Sequence, residues 1–252
     1  RKNVPVGVPV VGDCRTSLQR LNALLDDRLD PAVDAARREW RAQVDAWKQS
    51  QPLSYRQGER IKPQFVIEQL HALTGGEAIV TTEVGQNQMW AAQFYRFNRP
   101  NRFITSGGLG TMGFGLPAAL GAQIACPDRT VVDIAGDGSI QMNIQEMATA
   151  VQYELPVKIV ILNNGYLGMV RQWQELFYGR RYSATRMECT PDFVKLAEAY
   201  GALGLRAERP EEVAPVLREG LAHHGPVIMD FRVDEEESVY PMVPSGAPVT
   251  EM

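Results

Sequence analysis

Along most of this chain, short β-branched apolar runs alternate with longer segments whose apolar positions recur every three or four residues. From residue 63 onward the pattern predicts helix over 64–73, strand over 78–82, helix over 88–95, strand over 103–105, helix over 116–125, strand over 130–135, helix over 143–151 and strand over 158–162. It resumes with helix over 192–200, strand over 206–207, helix over 210–222 and strand over 227–233. The runs Thr130-Val131-Val132-Asp133-Ile134-Ala135 and Lys158-Ile159-Val160-Ile161-Leu162 are of the nearly continuous apolar kind found in strands covered on both faces. Asn143, with Glu146 three residues on, reads as the N-cap and capping-box pair of the helix between them. This alternation predicts an α/β fold, a doubly wound parallel sheet with helices on both faces.

Before residue 63 the pattern changes. Residues 8–11 read as a strand and 16–25 as its following helix, while 30–50 carry charges on most of their length with Ala35, Trp40, Val44 and Trp47 at helical spacing. The proline and glycine of 51–62 mark a boundary. Beyond residue 234, Glu235-Glu236-Glu237 and the proline-rich 240–252 read as a solvated surface tail. The expected organisation is 1–30, the end of a preceding domain; 31–62, a linker helix and boundary; 63–234, the main domain; and 235–252, the tail. A start at Arg1-Lys2-Asn3 reads as a piece of something longer.

Composition changes this picture little. With 252 residues, 44% of them hydrophobic, and a net charge of −4, the chain can bury a large core and gives no reason to expect nucleic acid or an anionic membrane as partner. No apolar run approaches the ~20 residues of a membrane span. Cys14, Cys126 and Cys189 are odd in number and widely spaced, so reduced thiols and a cytoplasmic location are expected. His71, His223 and His224 are too scattered for a zinc site.

The chemistry concentrates where two strands end. Gly136-Asp137-Gly138-Ser139 follows the strand over 130–135, and Asn163-Asn164 ends the strand over 158–162. Loops at the carboxyl ends of neighbouring parallel strands face one crevice, so Asp137 and Asn164 can meet one ligand. A carboxylate, an amide oxygen and a main-chain carbonyl are hard oxygen donors suited to Mg²⁺, which fills its octahedron with phosphate oxygens and water. Gly138 lets the main chain approach phosphates, and the N–H groups near a helix start favour an anion.

Together these residues match the thiamine-diphosphate signature. The segments Thr105-Ser106-Gly107-Gly108-Leu109-Gly110-Thr111-Met112-Gly113-Phe114-Gly115 and Gly165-Tyr166-Leu167-Gly168-Met169-Val170-Arg171-Gln172-Trp173-Gln174 resemble the acetohydroxyacid (acetolactate) synthase family specifically, through its large catalytic subunit. The similarity runs from about residue 55 onward, and the first residues resemble the end of that family's middle domain. It implies the thiamine-diphosphate-binding fold and a branched-chain amino-acid biosynthetic reaction: pyruvate condensed with pyruvate or 2-oxobutyrate through a thiamine-diphosphate carbanion, with loss of CO₂. It implies Mg²⁺ held by Asp137, Asn164 and Tyr166; diphosphate held by the loop Val84, Gly85, Gln86 and Asn87; the cofactor met also by Gly136, Asp137, Gly138, Ser139, Asn164, Tyr166, Gly168 and Met169; and the aminopyrimidine met by the Gly110 carbonyl and the Met112 N–H. Met112 would wedge between the cofactor's two rings and hold it bent, so that its own imino nitrogen serves as base. Met169 and Trp173, one helical turn apart, would line the substrate pocket. Many relatives carry histidine where Asn87 stands; asparagine can donate a hydrogen bond but carries no charge.

The resemblance also implies what is absent. The family's catalytic glutamate comes from an N-terminal pyrimidine-binding domain of a second subunit in a homodimer or tetramer, and its FAD sits mainly on the middle domain. Nothing here resembles the former, so this polypeptide alone is expected to be inactive. A regulatory subunit is a further possible partner. Other readings are a pyruvate oxidase or 2-oxoacid decarboxylase sharing the cofactor, or a non-catalytic cofactor-binding module. A dinucleotide fingerprint, Gly108-Leu109-Gly110-Thr111-Met112-Gly113 with Asp133, is weaker: its leading strand is short and Asp133 lies inside a strand.

Overall fold

The computed structural model describes residues 5–26, 28 and 31–251. Contacts divide the chain into two units, at Ser54 and Tyr55. The first holds α1 (Cys14–Asp26) and α2 (Pro31–Ser50). Asp13 starts α1, its carboxylate accepting from the Thr16 N–H at 2.9 Å. On α2, Trp40 and Trp47 meet edge to face at 5.5 Å. Residues 8–11 form no strand: Val8, Val10 and Val11 are exposed, and no described strand of this unit is there to complete a ladder.

The second unit runs α3 (Pro63–Thr74), β1 (Ile79–Thr82), α4 (Gln86–Phe94), β2 (Phe103–Thr105), α5 (Gly115–Ala125), β3 (Val131–Gly136), α6 (Met147–Gln152), β4 (Lys158–Asn163), α7 (Gly168–Phe177), α8 (Phe193–Tyr200), β5 (Leu203–Ala207), α9 (Pro210–Ala222) and β6 (Val227–Arg232). The six strands form one sheet in the order β2-β1-β3-β4-β6-β5, and every pairing is parallel. This is the expected parallel α/β architecture.

Strand alternation builds two cores. Val80, Val132, Val160 and Met229 pack toward α3, α4 and α9, while Ile79, Val131, Ile159 and Ile228 pack toward α5, α6 and α8. The chain leaves β1 for β2 on one side and returns to β3 on the other. The carboxyl ends of β1 and β3 therefore form a topological switch point, where open α/β sheets bind ligands.

Two local expectations fail for identifiable reasons. The helix expected over 143–151 begins as separate 3₁₀ turns at Ile140–Met142 and Ile144–Glu146, and only Met147–Gln152 is α-helical. Asn143 makes no side-chain cap: its Oδ1 accepts from Gln145 Nε2 at 3.2 Å, while its Nδ2 donates to the Gly113 carbonyl at 2.7 Å. Strand β5 is longer than the apolar run suggests. Gly204 interrupts the sequence signal because a Cβ there would lie 2.6 Å from the Val194 carbonyl oxygen, where α8 crosses the strand.

Candidate active site

The loops following β1, β2, β3 and β4 close around one cavity of about 370 Å³. Val84, Gly85, Gln86 and Asn87 reach it from β1, Gly110 and Met112 from β2, and Gly136, Asp137, Gly138 and Ser139 from β3. Asn164, Tyr166 and Gly168 reach it after β4, and Met169 and Trp173 face it from the first turns of α7. Every site residue expected from sequence thus lines the same cavity.

Asp137 is buried, and its Oδ2 accepts from the Gly165 N–H at 3.1 Å, joining the β3 and β4 loops. Burial, aided by the charge of Asp230, pushes its carboxyl up to about 7 against the main-chain N–H groups and Arg232 that favour the anion. A divalent cation beside it acts in the opposite direction. The Asn164 amide is oriented at both ends: Nδ2 donates to Gln86 Oε1 at 3.1 Å, and Oδ1 accepts from the Tyr166 N–H at 3.1 Å. The loop is pinned from outside by Leu167 N–H to the Thr185 carbonyl and Met187 N–H to the Gly165 carbonyl, both 2.8 Å. These two bonds engage the neighbours of Tyr166 and leave its own carbonyl out of the pairing.

Among the described residues no three His, Cys, Asp or Glu side chains converge on a point. Asp137, Asn164 and Tyr166 line the cavity together, and a carboxylate, an amide oxygen and a loop carbonyl are a donor set that fits Mg²⁺ sharing its shell with phosphate oxygens and fits a softer metal poorly. The opposite wall is apolar, formed by Met112, Met169, Val170 and Trp173, with Trp173 48% exposed.

Several expectations about single residues change. Asn87 has no donor to spare: Nδ2 is committed to the Glu83 carbonyl at 3.2 Å and the Ile134 carbonyl at 2.8 Å, so the side chain ties the ends of β1 and β3 together. Asp133 is wholly buried inside β3 and cannot meet a ribose, which removes the dinucleotide reading. Arg171 is 3% exposed; its guanidinium binds Glu175 and reaches the Glu236 and Glu237 carbonyls and Ser238 Oγ.

The tail also differs from the solvated segment expected. Gln172 grips Val239 by both main-chain groups at 2.9 Å, Gln86 donates to the Glu237 carbonyl, and Met242 lines the cavity. Lys62 pairs with Asp234 at 2.8 Å and with Glu237 at 2.5 Å, anchoring the segment's start. The only local hint of this arrangement was Val239 and Met242 standing among polar and proline residues. No described helix is long and apolar enough to cross a membrane.

Comparison with known proteins agrees with this geometry. Residues 83–231 match the family model described as thiamine pyrophosphate enzyme, C-terminal TPP binding domain. The chain is 50% identical to the acetolactate synthase isozyme 3 large subunit of Escherichia coli K12, with 100% of this chain and 44% of that protein aligned. It is 47% identical to the acetolactate synthase large subunit of Haemophilus influenzae, again over 100% of this chain and 44% of that protein. Against the mitochondrial acetolactate synthase catalytic subunit of Saccharomyces cerevisiae it is 47% identical, over 99% of this chain and 36% of that protein. The chain therefore spans less than half the length of these relatives. With the β1–β4 loops of its switch-point cavity inside the matched segment, this chain belongs to the thiamine pyrophosphate enzymes, as their C-terminal TPP-binding domain.

Proposed function

We propose that this chain supplies the metal-and-diphosphate half of an acetolactate synthase active site, acting on 2-oxoacids in the synthesis of branched-chain amino acids. The observation that carries the reading is the pairing, in one cavity, of the oxygen donors Asp137 and Asn164 with the apolar wall Met112, Met169 and Trp173. Asp137, the Asn164 amide oxygen and the Tyr166 carbonyl hold Mg²⁺. The main chain of residues 84–87 and 136–139 and the start of α7 at Gly168 surround the diphosphate. Gly110 and Met112 meet the aminopyrimidine, and Met112 keeps the cofactor bent. When bound, thiamine diphosphate supplies the carbon nucleophile and electron sink that decarboxylate one 2-oxoacid and join the remainder to a second.

Met169 and Trp173 give the second 2-oxoacid an apolar surface, on which the extra methylene of 2-oxobutyrate is worth about 1–3 kcal/mol over pyruvate. The wall around them is open: of the cavity's lining residues Trp173 is 48% exposed, Val170 45% and Met89 39%. Such apolar exposure beside a site suits cover by another domain, and we assign it to the pyrimidine-binding domain of a second subunit, which brings the catalytic glutamate. FAD belongs to the longer protein, against its middle domain. The three free thiols suit the reducing cytoplasm.

Product analysis tests the reading on the protein with its N-terminal part present, given Mg²⁺, thiamine diphosphate, FAD and pyruvate, with and without 2-oxobutyrate. Acetolactate is expected, giving way to 2-aceto-2-hydroxybutyrate when 2-oxobutyrate is added. Acetaldehyde or acetate alone would move the chain to a decarboxylase or oxidase. In the same protein Asp137→Ala is expected to abolish Mg²⁺-dependent cofactor binding by calorimetry, and unchanged affinity would remove Asp137 from the metal site.

A further inference from the structure

Glu83 is a buried carboxylate to which the roles above assign nothing. It follows β1 directly, is 0% exposed and forms no ion pair among the described residues. Its Oε2 accepts from the Gly113 N–H at 2.5 Å and its Oε1 from the Leu116 N–H at 3.1 Å. Helix α5 needs this help. Phe114, at its N-cap, offers no side-chain acceptor, so the free N–H groups of the first turn are satisfied from another strand.

The same contact fixes the end of the glycine loop. Gly113 has φ +85, and a Cβ there would lie 2.8 Å from both Asn143 Nδ2 and Met142 Cβ. Its N–H is held from below by Glu83, and its carbonyl from the other side by Asn143 at 2.7 Å. Upstream the loop is tied at its start, through Gly110 N–H to the Ser106 carbonyl and Thr111 N–H to Ser106 Oγ, with Gln88 Nε2 also donating to the Ser106 carbonyl at 3.3 Å, and residues 107–111 are exposed. Met112 is the next residue before the clamped one.

Beneath Glu83 lies Asp133, wholly buried, with Thr81 Oγ1 on its Oδ1 at 3.1 Å. Its Oδ2 is buried without a partner. Burial and the charge of Glu83 hold the Asp133 carboxyl well above its ordinary range, and burial raises that of Glu83 as well, against the main-chain N–H groups of Leu116, Gly113 and Gly115 that favour its anion.

We propose that Glu83 is a positioning residue for the cofactor: by clamping the Gly113 peptide against Asn143, it sets where Met112 and the Gly110 carbonyl stand in the cavity. The inference rests on the reading above that these two residues meet the aminopyrimidine. The diphosphate half of the site, on residues 84–87, 136–139 and Gly168, makes no hydrogen bond to the Glu83 carboxylate among the described residues. Loosening it therefore disturbs the bent cofactor more than its retention.

The test uses Glu83→Gln in the protein with its N-terminal part present. The variant keeps the shape of the side chain but turns one acceptor into a donor facing a main-chain N–H. In the cofactor-free protein, amide exchange over residues 107–116 is expected to quicken. On loading, kcat and the exchange of the cofactor's C2 proton, followed by NMR, are expected to fall together by roughly 10- to 100-fold. The cofactor Kd and the KM for pyruvate should move by less than about threefold, and Glu83→Asp should recover part of the loss.

Should Glu83→Gln fail to fold, Asn143→Ala attacks the same peptide from its other side and must give the same split. The inference is overturned by unchanged kcat and C2 exchange per bound cofactor, including where thermal stability or cofactor affinity falls. If the unsubstituted protein exchanges the C2 proton yet makes no acetolactate, the proposed function fails while the C2-exchange comparison still decides the role of Glu83.

Discussion

Replacing Gln172 by leucine should release the strap that residues 236–242 lay beside the cavity. Gln172 is 0% exposed, and its amide mimics a strand edge: Nε2 donates to the Val239 carbonyl and Oε1 accepts from the Val239 N–H, each at 2.9 Å. Oε1 also accepts from Gln86 Nε2 at 2.8 Å. Leucine fills a similar volume, so no cavity forms, but both main-chain groups of buried Val239 lose their partner. An orphaned buried polar group costs about 1–3 kcal/mol. Arg171 and Gln93 still hold the segment, the latter through the Tyr240 carbonyl, so water can enter without complete detachment. The net expectation is roughly 2–4 kcal/mol, on the order of 30- to 700-fold in the local opening equilibrium. Native-state amide exchange of residues 236–242 reads this directly. Gln86, freed of one acceptor, also orients Asn164 less well, and cofactor affinity should drop by at most roughly fivefold, the factor that one net hydrogen bond of about 1 kcal/mol allows. Unchanged protection at Val239 would refute the reasoning, since no other side chain is bonded to both of its main-chain groups.

Two further outcomes follow from the same geometry. Gly168→Ala would set a Cβ 2.0 Å from Gln86 Oε1 and 2.7 Å from Asn164 Nδ2. Gln86 is held by Gln172 and Glu237 and cannot yield freely, so a loss of about 1–3 kcal/mol in urea denaturation and weaker cofactor binding are expected; a wild-type denaturation midpoint would show that the pocket gives way. Lys158 is buried, with Nζ donating to the His223 and Gly225 carbonyls, and burial pushes its ammonium down to about 8. Below pH 8 both folded and unfolded states carry the proton and the cost of burying it is constant. Between pH 8 and about 10.5 the folded state releases a proton the unfolded state keeps, so stability rises. The two carbonyl acceptors favour the charged form, limiting the gain to about 2 kcal/mol. Subtracting the pH profile of Lys158→Met isolates it, and a flat difference would contradict the shift.

The parts of this molecule legible in its sequence are those whose physics is local. A run such as Ile159-Val160-Ile161 declares a doubly covered strand, and the composition of the turn after it declares oxygen donors at its carboxyl end. Parallel pairing then brings Gly136 level with Leu162, and the donors meet without further instruction. What could not be read depends on polar groups whose partners lie far along the chain. Glu83 and Asn143 each reach Gly113 across 30 positions, and Arg171 reaches Ser238 across 67. Nothing about an arginine in a helix states that it will be buried under a tail. Asn143 misled for the complementary reason: its local role as a cap was chemically sound, but its oxygen accepts from the Gln145 side chain and its nitrogen donates to a carbonyl from another loop.

The division has a mechanical logic. Metal and diphosphate groups need donors held to within a fraction of an ångström, and side chains on loops are loose unless a second set of bonds restrains them. Here the restraint is polar and buried: Gln86 fixes Asn164, Gln172 fixes Gln86, and the 236–242 strap fixes Gln172. Each link is a neutral amide, which can donate and accept at once and adds no charge beside Asp137. A charged side chain in the same chain of contacts would compete with the cation or repel the diphosphate. The amide relay thus orients the proposed clamp without adding a charge beside Asp137, which is why glutamine at positions 86 and 172 is expected to tolerate neither glutamate nor lysine without loss of cofactor binding.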